Sequence, residues 1–168
     1  MPFLHLQPIE KKPGHPTRPA KEKDAFQNEP SSSQLALVGR NRRILVVDDN
    51  QTVLKAFEMK LKADGFVVTT STNSAAVAST AEQAQAELIV LDINFPPAGA
   101  VHWNGFTVMQ WLRRFPELAR IPVILMSGEA SAVHKQKALK AGAVAFFEKP
   151  VAYKDLLAAV LAALRTEK

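Results

Sequence analysis

Cysteine is absent from all 168 residues. That excludes disulfides and thiolate metal sites and makes the reducing cytoplasm the expected location. No apolar run approaches the roughly 20 residues needed to cross a bilayer, so no membrane association is expected. The N-terminal stretch MPFLHLQPIEKKPGHP is broken by prolines and has no signal-peptide core. Charge of one sign hardly dominates. The formal net charge is +5, with six Lys/Arg against four Asp/Glu in residues 1–40 and fifteen against twelve in the rest. A nucleic-acid surface needs basic residues concentrated on one face. No such cluster or motif stands out, so no direct nucleic-acid contact is expected.

Two regions differ in composition. Residues 1–40 hold prolines at positions 2, 8, 13, 16, 19 and 30 and a serine run at 31–33, with no apolar period. Such a segment buries too little surface to offset its ordering entropy and reads as a tail or linker. Residues 41–168 read as one domain, large enough to bury about two-thirds of its unfolded surface.

Within that domain ILVV (44–47), FVVTT (66–70), LIVLD (88–92), PVILMS (122–127) and AFFE (145–148) have strand composition. Three of these runs are apolar almost without alternation, as in parallel strands covered on both faces. Helical patterns separate them: 52–63 stopped by Gly65, 74–86 capped by Asn73 or Ser74, 105–115, 131–141 stopped by Gly142, and 153–165. Five β-α units with right-handed crossovers predict an α/β fold, the flavodoxin-like (βα)5 doubly wound parallel sheet with strand order 2-1-3-4-5.

In that fold the first and third strands are neighbours, and their carboxyl ends border the switch point where sites form. Asp48 and Asp49 follow the first strand and Asp92 ends the third. Three converging carboxylates repel one another unless a cation joins them. Oxygen-only ligands select a hard ion, Mg or Mn. Ser127 and Lys149, at the ends of the fourth and fifth strands, point to the same rim and add a hydroxyl and an ammonium. Carboxylates, a divalent ion, a hydroxyl and an ammonium make a phosphoryl-transfer site. Asp92, alone on its strand, is the candidate nucleophile.

The motifs VVDDN (46–50), LIVLDIN (88–94), ILMSGE (124–129) and AFFEKP (145–150) resemble those of response regulator receiver domains of two-component systems. The resemblance runs over residues 42–166. It implies that Asp92 accepts a phosphoryl group from a histidine kinase or histidine phosphotransfer protein. It implies that Asp48, Asp49, Asp92 and the backbone carbonyl of Asn94 hold Mg, and that Ser127 and Lys149 contact phosphoryl oxygens. It also implies a cis Lys149–Pro150 peptide and a switch pair of Ser127 and Phe146. Phe146 carries no hydroxyl, so its ring cannot make the hydrogen bond available to a tyrosine.

The chain departs from the family in NFPPAGAVHWNGF (94–106), longer than is usual before the third helix. With Trp103 and His102 in it, this is either a tolerated insertion or a loop that shields the phosphoryl group or anchors a partner. The expected organisation is a stand-alone receiver whose output is read on the face of the fourth helix, fifth strand and fifth helix (the α4-β5-α5 face), by a downstream protein or in a homodimer. The alternatives are a scaffold receiver that is never phosphorylated, or a receiver fragment of a larger regulator or hybrid kinase. An aspartyl phosphatase is disfavoured: it needs a second aspartate two residues after the nucleophile, where this chain has Asn94.

Overall fold

The structure, a computed structural model, describes residues 41–96, 104–129 and 131–165. The proposed tail and most of the long loop, His102 and Trp103 included, lie outside these residues. The described residues form a parallel sheet of β1 (Arg43–Val47), β2 (Val67–Ser71), β3 (Leu88–Asp92), β4 (Val123–Ser127) and β5 (Ala145–Glu148), in the order β2-β1-β3-β4-β5. Five helices of seven or more residues connect and cover it: α1 (Gln51–Ala63), α2 (Val77–Gln83), α3 (Gly105–Leu112), α4 (Ala132–Lys140) and α5 (Tyr153–Arg165).

Pleat alternation divides the core in two. Leu45, Val47, Ile89, Leu91, Val123 and Leu125 pack with Val77 and Ala81 of α2, Phe106, Met109 and Leu112 of α3, and Ala138 of α4. Ile44, Val46, Leu88, Val90, Ile124 and Met126 pack with Leu54, Phe57 and Leu61 of α1 and Leu156, Val160 and Leu164 of α5. Both faces of β1, β3 and β4 are covered, so these strands show no polar alternation in sequence. The buried aliphatic side chains each contribute roughly 1.5–3 kcal/mol to this arrangement.

Helix ends follow local chemistry. Asn50 caps α1 by accepting from the amides of Thr52 and Val53 at 2.9 and 3.3 Å. Asn73 accepts from the Ala75 amide at 3.0 Å. Gly65 and Gly142, each at φ 90°, follow α1 and α4 in a conformation that costs glycine little. Two predicted helices are shorter than expected. The stretch 74–86 is a 3-10 turn (Ser74–Ala76) leading into α2. The third helix stops at Leu112 rather than 115, because Pro116 starts a separate helical turn, Pro116–Ala119. Arg113 then ties this turn to the neighbouring chain. Its guanidinium donates to the carbonyls of Ala119, Ile121 (3.4 Å) and Gly142 (3.1 Å).

The first residue of α3 sits directly against the end of β3. The Gly105 amide donates to the Ile93 carbonyl at 3.0 Å. A Cβ on Gly105 would lie 2.6 Å from the Asp92 carbonyl oxygen and 2.8 Å from the Ile93 Cα. Both are backbone atoms and neither can move alone. Gly128, just past β4, has nothing within 4 Å of the same position. Gly105→Ala is therefore expected to lower the unfolding free energy by about 1–3 kcal/mol, while Gly128→Ala changes it by less than about 0.5 kcal/mol, as read by urea denaturation. Equal effects would refute the close approach.

Candidate functional site

Register brings the acidic residues together. Val47 pairs with Leu91, so the next residues, Asp48 and Asp92, stand side by side at the carboxyl edge of the sheet. Both are buried, at 0% and 3% exposure, whereas Asp49 is exposed. One carboxylate oxygen from each of Asp48, Asp49 and Asp92 lies within 4.8 Å of the others. Asp49 is not the helix cap, since Asn50 fills that role. Asp48 Oδ1 accepts from the Asn50 amide at 2.9 Å.

Lys149 lies at the centre. It follows β5, and its amide donates to the Ser127 carbonyl at 2.8 Å. Its parity on β5 is that of Ala145 and Phe147, which face α1 and α5, and this is also the face of Asp48 and Asp92. Lys149 Nζ reaches Asp48 Oδ2 at 2.5 Å and Asp92 Oδ2 at 2.8 Å. The Lys149–Pro150 peptide is cis.

Two opposing effects act on these groups. Burial raises the Asp92 carboxyl above its ordinary value, and the nearby Asp48 charge adds to this. The hydrogen bond and charge of Lys149 oppose the shift without cancelling it. Burial pulls the Lys149 ammonium down, but its bonds to Asp48 and Asp92 outweigh that and hold it above the usual lysine value. One cation is shared between two carboxylates, so compensation at Asp92 is incomplete.

Asp92 Oδ1 is buried and has no hydrogen-bond partner. A buried carboxylate oxygen left so is costly and marks a place for another group. The groups beside it that could hold an ion, Asp48 and Asp49 with Asp92 itself, offer carboxylate oxygens, which a hard divalent cation takes. The residues present therefore fit a magnesium or manganese ion.

Ser127 and Phe146 occupy the other face. Ser127 has the parity of Val123 and Leu125, on the side of α2, α3 and α4, and Phe146 packs against the same cluster. Ser127 is fully buried, and its hydroxyl is engaged by Glu129: it donates to the Glu129 carbonyl at 3.0 Å and accepts from the Glu129 amide at 3.1 Å. Beside the half-buried Phe146 ring is a cleft of about 310 Å³ lined also by Ser131, Ala132, Lys135 and Glu148. Asn94 is exposed just beyond β3.

Comparison with known proteins decides the family. The sequence model described as "Response regulator receiver domain" matches residues 44–161. The chain belongs to the response regulator receiver domain family. Receiver domains are phosphoryl-accepting signalling switches rather than typical enzymes. This receiver domain is 35% identical over 123 residues to the transcriptional regulatory protein PrrA of Mycobacterium tuberculosis, covering 73% of this chain and 50% of that protein. It is 30% identical over 124 residues to the transcriptional regulatory protein GltR of Pseudomonas aeruginosa, covering 74% and 49%. The chain thus spans about half the length of the curated relatives it matches. Among solved structures, a response regulator from Desulfuromonas acetoxidans superposes with a TM-score of 0.67 at 28% identity, over 76% of this chain and 99% of that one. The chemotaxis protein CheY4 of Vibrio cholerae shares the fold, with a TM-score of 0.65 at 23% identity, over 73% and 98%.

The raised Asp92 value carries a sign for stability. The folded protein holds that proton more tightly than the unfolded chain, so stability falls as pH rises from the ordinary aspartate value of 3.8 through the raised one. Asp92→Asn removes the buried charge. The variant is expected to be more stable than wild type by on the order of 1 kcal/mol at pH 7, with the difference shrinking below about pH 4. Urea denaturation at the two pH values checks this; a less stable variant at pH 7 would contradict it.

Proposed function

We propose that this receiver accepts a phosphoryl group on Asp92 Oδ1 from a phosphohistidine of a histidine kinase or histidine phosphotransfer protein. The observation that supports this most directly is the unpartnered, buried Oδ1 beside a lysine that holds Oδ2 of the same carboxylate. In the transfer, Asp92 Oδ1 forms the new O–P bond as the P–N bond breaks, and the departing imidazole keeps the electron pair. Asp48, Asp49 and Asp92, with the main-chain carbonyl of Asn94, would hold a magnesium or manganese ion whose charge offsets that of the phosphoryl oxygens. Lys149, already within 2.8 Å of Asp92, supplies a second positive charge. Ser127 donates its hydroxyl to a phosphoryl oxygen, and Phe146 turns as the hydroxyl leaves, which biases a two-state element.

The output is read on the surface of α4, β5 and α5 by a downstream protein or a second copy of the chain. Val133 and Leu139 of α4 are 70% and 51% exposed, and Val144 before β5 is 50% exposed, which supports an apolar contact there. A second reading treats these residues as the receiver part of a longer regulator. The match to only half of PrrA and GltR favours it.

Acetyl phosphate with Mg should introduce one acid-stable, base-labile phosphate per chain. Asp92→Asn should accept none, and Lys149→Ala should react about 10²-fold more slowly, the usual cost of removing one charge-stabilising group. No incorporation into wild type identifies a scaffold receiver. Rapid, repeated turnover of phosphomonoesters identifies a hydrolase.

A further inference from the structure

We propose that His134 is a positioning residue that holds the Ser127 hydroxyl away from the phosphorylation site and so sets the resting bias of the switch. The inference rests on the phosphoryl-acceptor reading above and adds a residue to it.

Four observations carry it. Ser127 has one hydroxyl proton, and it goes to the Glu129 carbonyl, 3.0 Å away. A phosphoryl group on Asp92 needs that same proton, so the Glu129 carbonyl and the phosphoryl oxygen compete for it. His134 Nδ1 lies 3.0 Å from the same carbonyl. A carbonyl only accepts, so Nδ1 carries the hydrogen and donates it. Glu129 and Gly128 before it are both exposed, so the Glu129 main chain sits outside the packed core. The Glu129 main chain is hydrogen-bonded to Ser127 and to His134.

His134 is itself well anchored. Its amide donates to Ser131 Oγ at 3.0 Å in the α4 cap. Its ring packs on Phe106 with centroids 6.1 Å apart and planes tilted by 54°. Phe106 follows Gly105, whose amide is bound to the end of β3. Lys137 Nζ lies 4.4 Å from the centre of the Phe106 ring and adds a second α4 contact to α3. The imidazole thus ties Glu129 to a rigid helix pair, and Glu129 in turn holds Ser127. Releasing Ser127 toward Asp92 means giving up an acceptor kept in place by His134.

The test uses His134→Phe, which keeps a ring against Phe106 but has no donor, and His134→Asn, whose Nδ2 sits as many bonds from Cα as Nδ1 does. Two readouts are taken. The first is amide hydrogen exchange without phosphoryl analogue. His134→Phe should speed exchange at the Glu129 amide severalfold and leave the Leu125 amide unchanged, and His134→Asn should restore the wild-type rate. The second is affinity for beryllofluoride with Mg. His134→Phe should bind about two- to tenfold more tightly than wild type, the factor one ordinary hydrogen bond supplies, and His134→Asn should return to wild type. Unchanged exchange at Glu129, or equal or weaker beryllofluoride binding by His134→Phe, overturns the role of His134 and leaves the acceptor reading intact. Failure of wild type to bind beryllofluoride overturns both.

Discussion

A single ammonium shared by two buried carboxylates organises the rim of this protein. Lys149 Nζ stands 2.5 Å from Asp48 and 2.8 Å from Asp92, on three different strand ends of the sheet. Without it, two anions fixed side by side by the β1–β3 register would face each other with little water. With it, both buried charges are tolerated, but one ammonium faces the three carboxylates of the site. Burial, with the Asp48 charge beside it, raises the Asp92 carboxyl despite the lysine, and Asp92 Oδ1 is left without a partner. Such a site suits further positive charge, as a divalent ion would bring, and the proposed conversion of the Asp92 carboxylate to an acyl phosphate.

The sheet keeps two tasks on two faces. Asp48, Asp92 and Lys149 share the parity of the residues under α1 and α5, while Ser127 and Phe146 share that of the residues under α2, α3 and α4. Charge is therefore collected on one side of the pleat, and the groups proposed to respond lie on the other. Ser127, at the end of the buried strand β4, is the residue between them. Its hydroxyl is engaged with Glu129 rather than Asp92, the arrangement expected at rest under the proposed switch. In the proposed switch the Ser127 proton changes partner and Phe146 turns with it, a small local event that would bias α4 and the exposed apolar residues around it.

Much of this was legible in the sequence, for physical reasons that can be named. Strands covered on both faces leave uninterrupted apolar runs, and LIVLD and ILMS announced β3 and β4 directly. Glycines at 65 and 142 marked the helix ends, where the backbone takes a positive φ. The strand order followed from the β-α alternation, and with it the convergence of Asp48, Asp49 and Asp92. Less legible were features decided by side-chain direction across long separations. Nothing local tells that Arg113 will turn to the carbonyls of Ala119, Ile121 and Gly142, or that His134 will reach Glu129. The end of α3 was misplaced by three residues because Arg113, Arg114 and Phe115 continue a helical composition, while Pro116 forbids the helical bonds beyond. Asn50 caps α1, which leaves Asp49 available to a cation. Pleat parity, counted back from each strand end, is the signal that would have separated Lys149 from Phe146 and Ser127 beforehand.

The central claim is that the Asp92 side chain, and no other group in the chain, becomes the acyl phosphate. Borohydride reduction of the phosphorylated protein followed by peptide mass mapping tests it most directly, because reductive cleavage marks only the carboxyl that carried the phosphoryl group. The account predicts the reduced residue at position 92 alone, with Asp48 and Asp49 unmodified. Reduction at either of those two, or a stable phosphate with no reducible carboxyl, would contradict it.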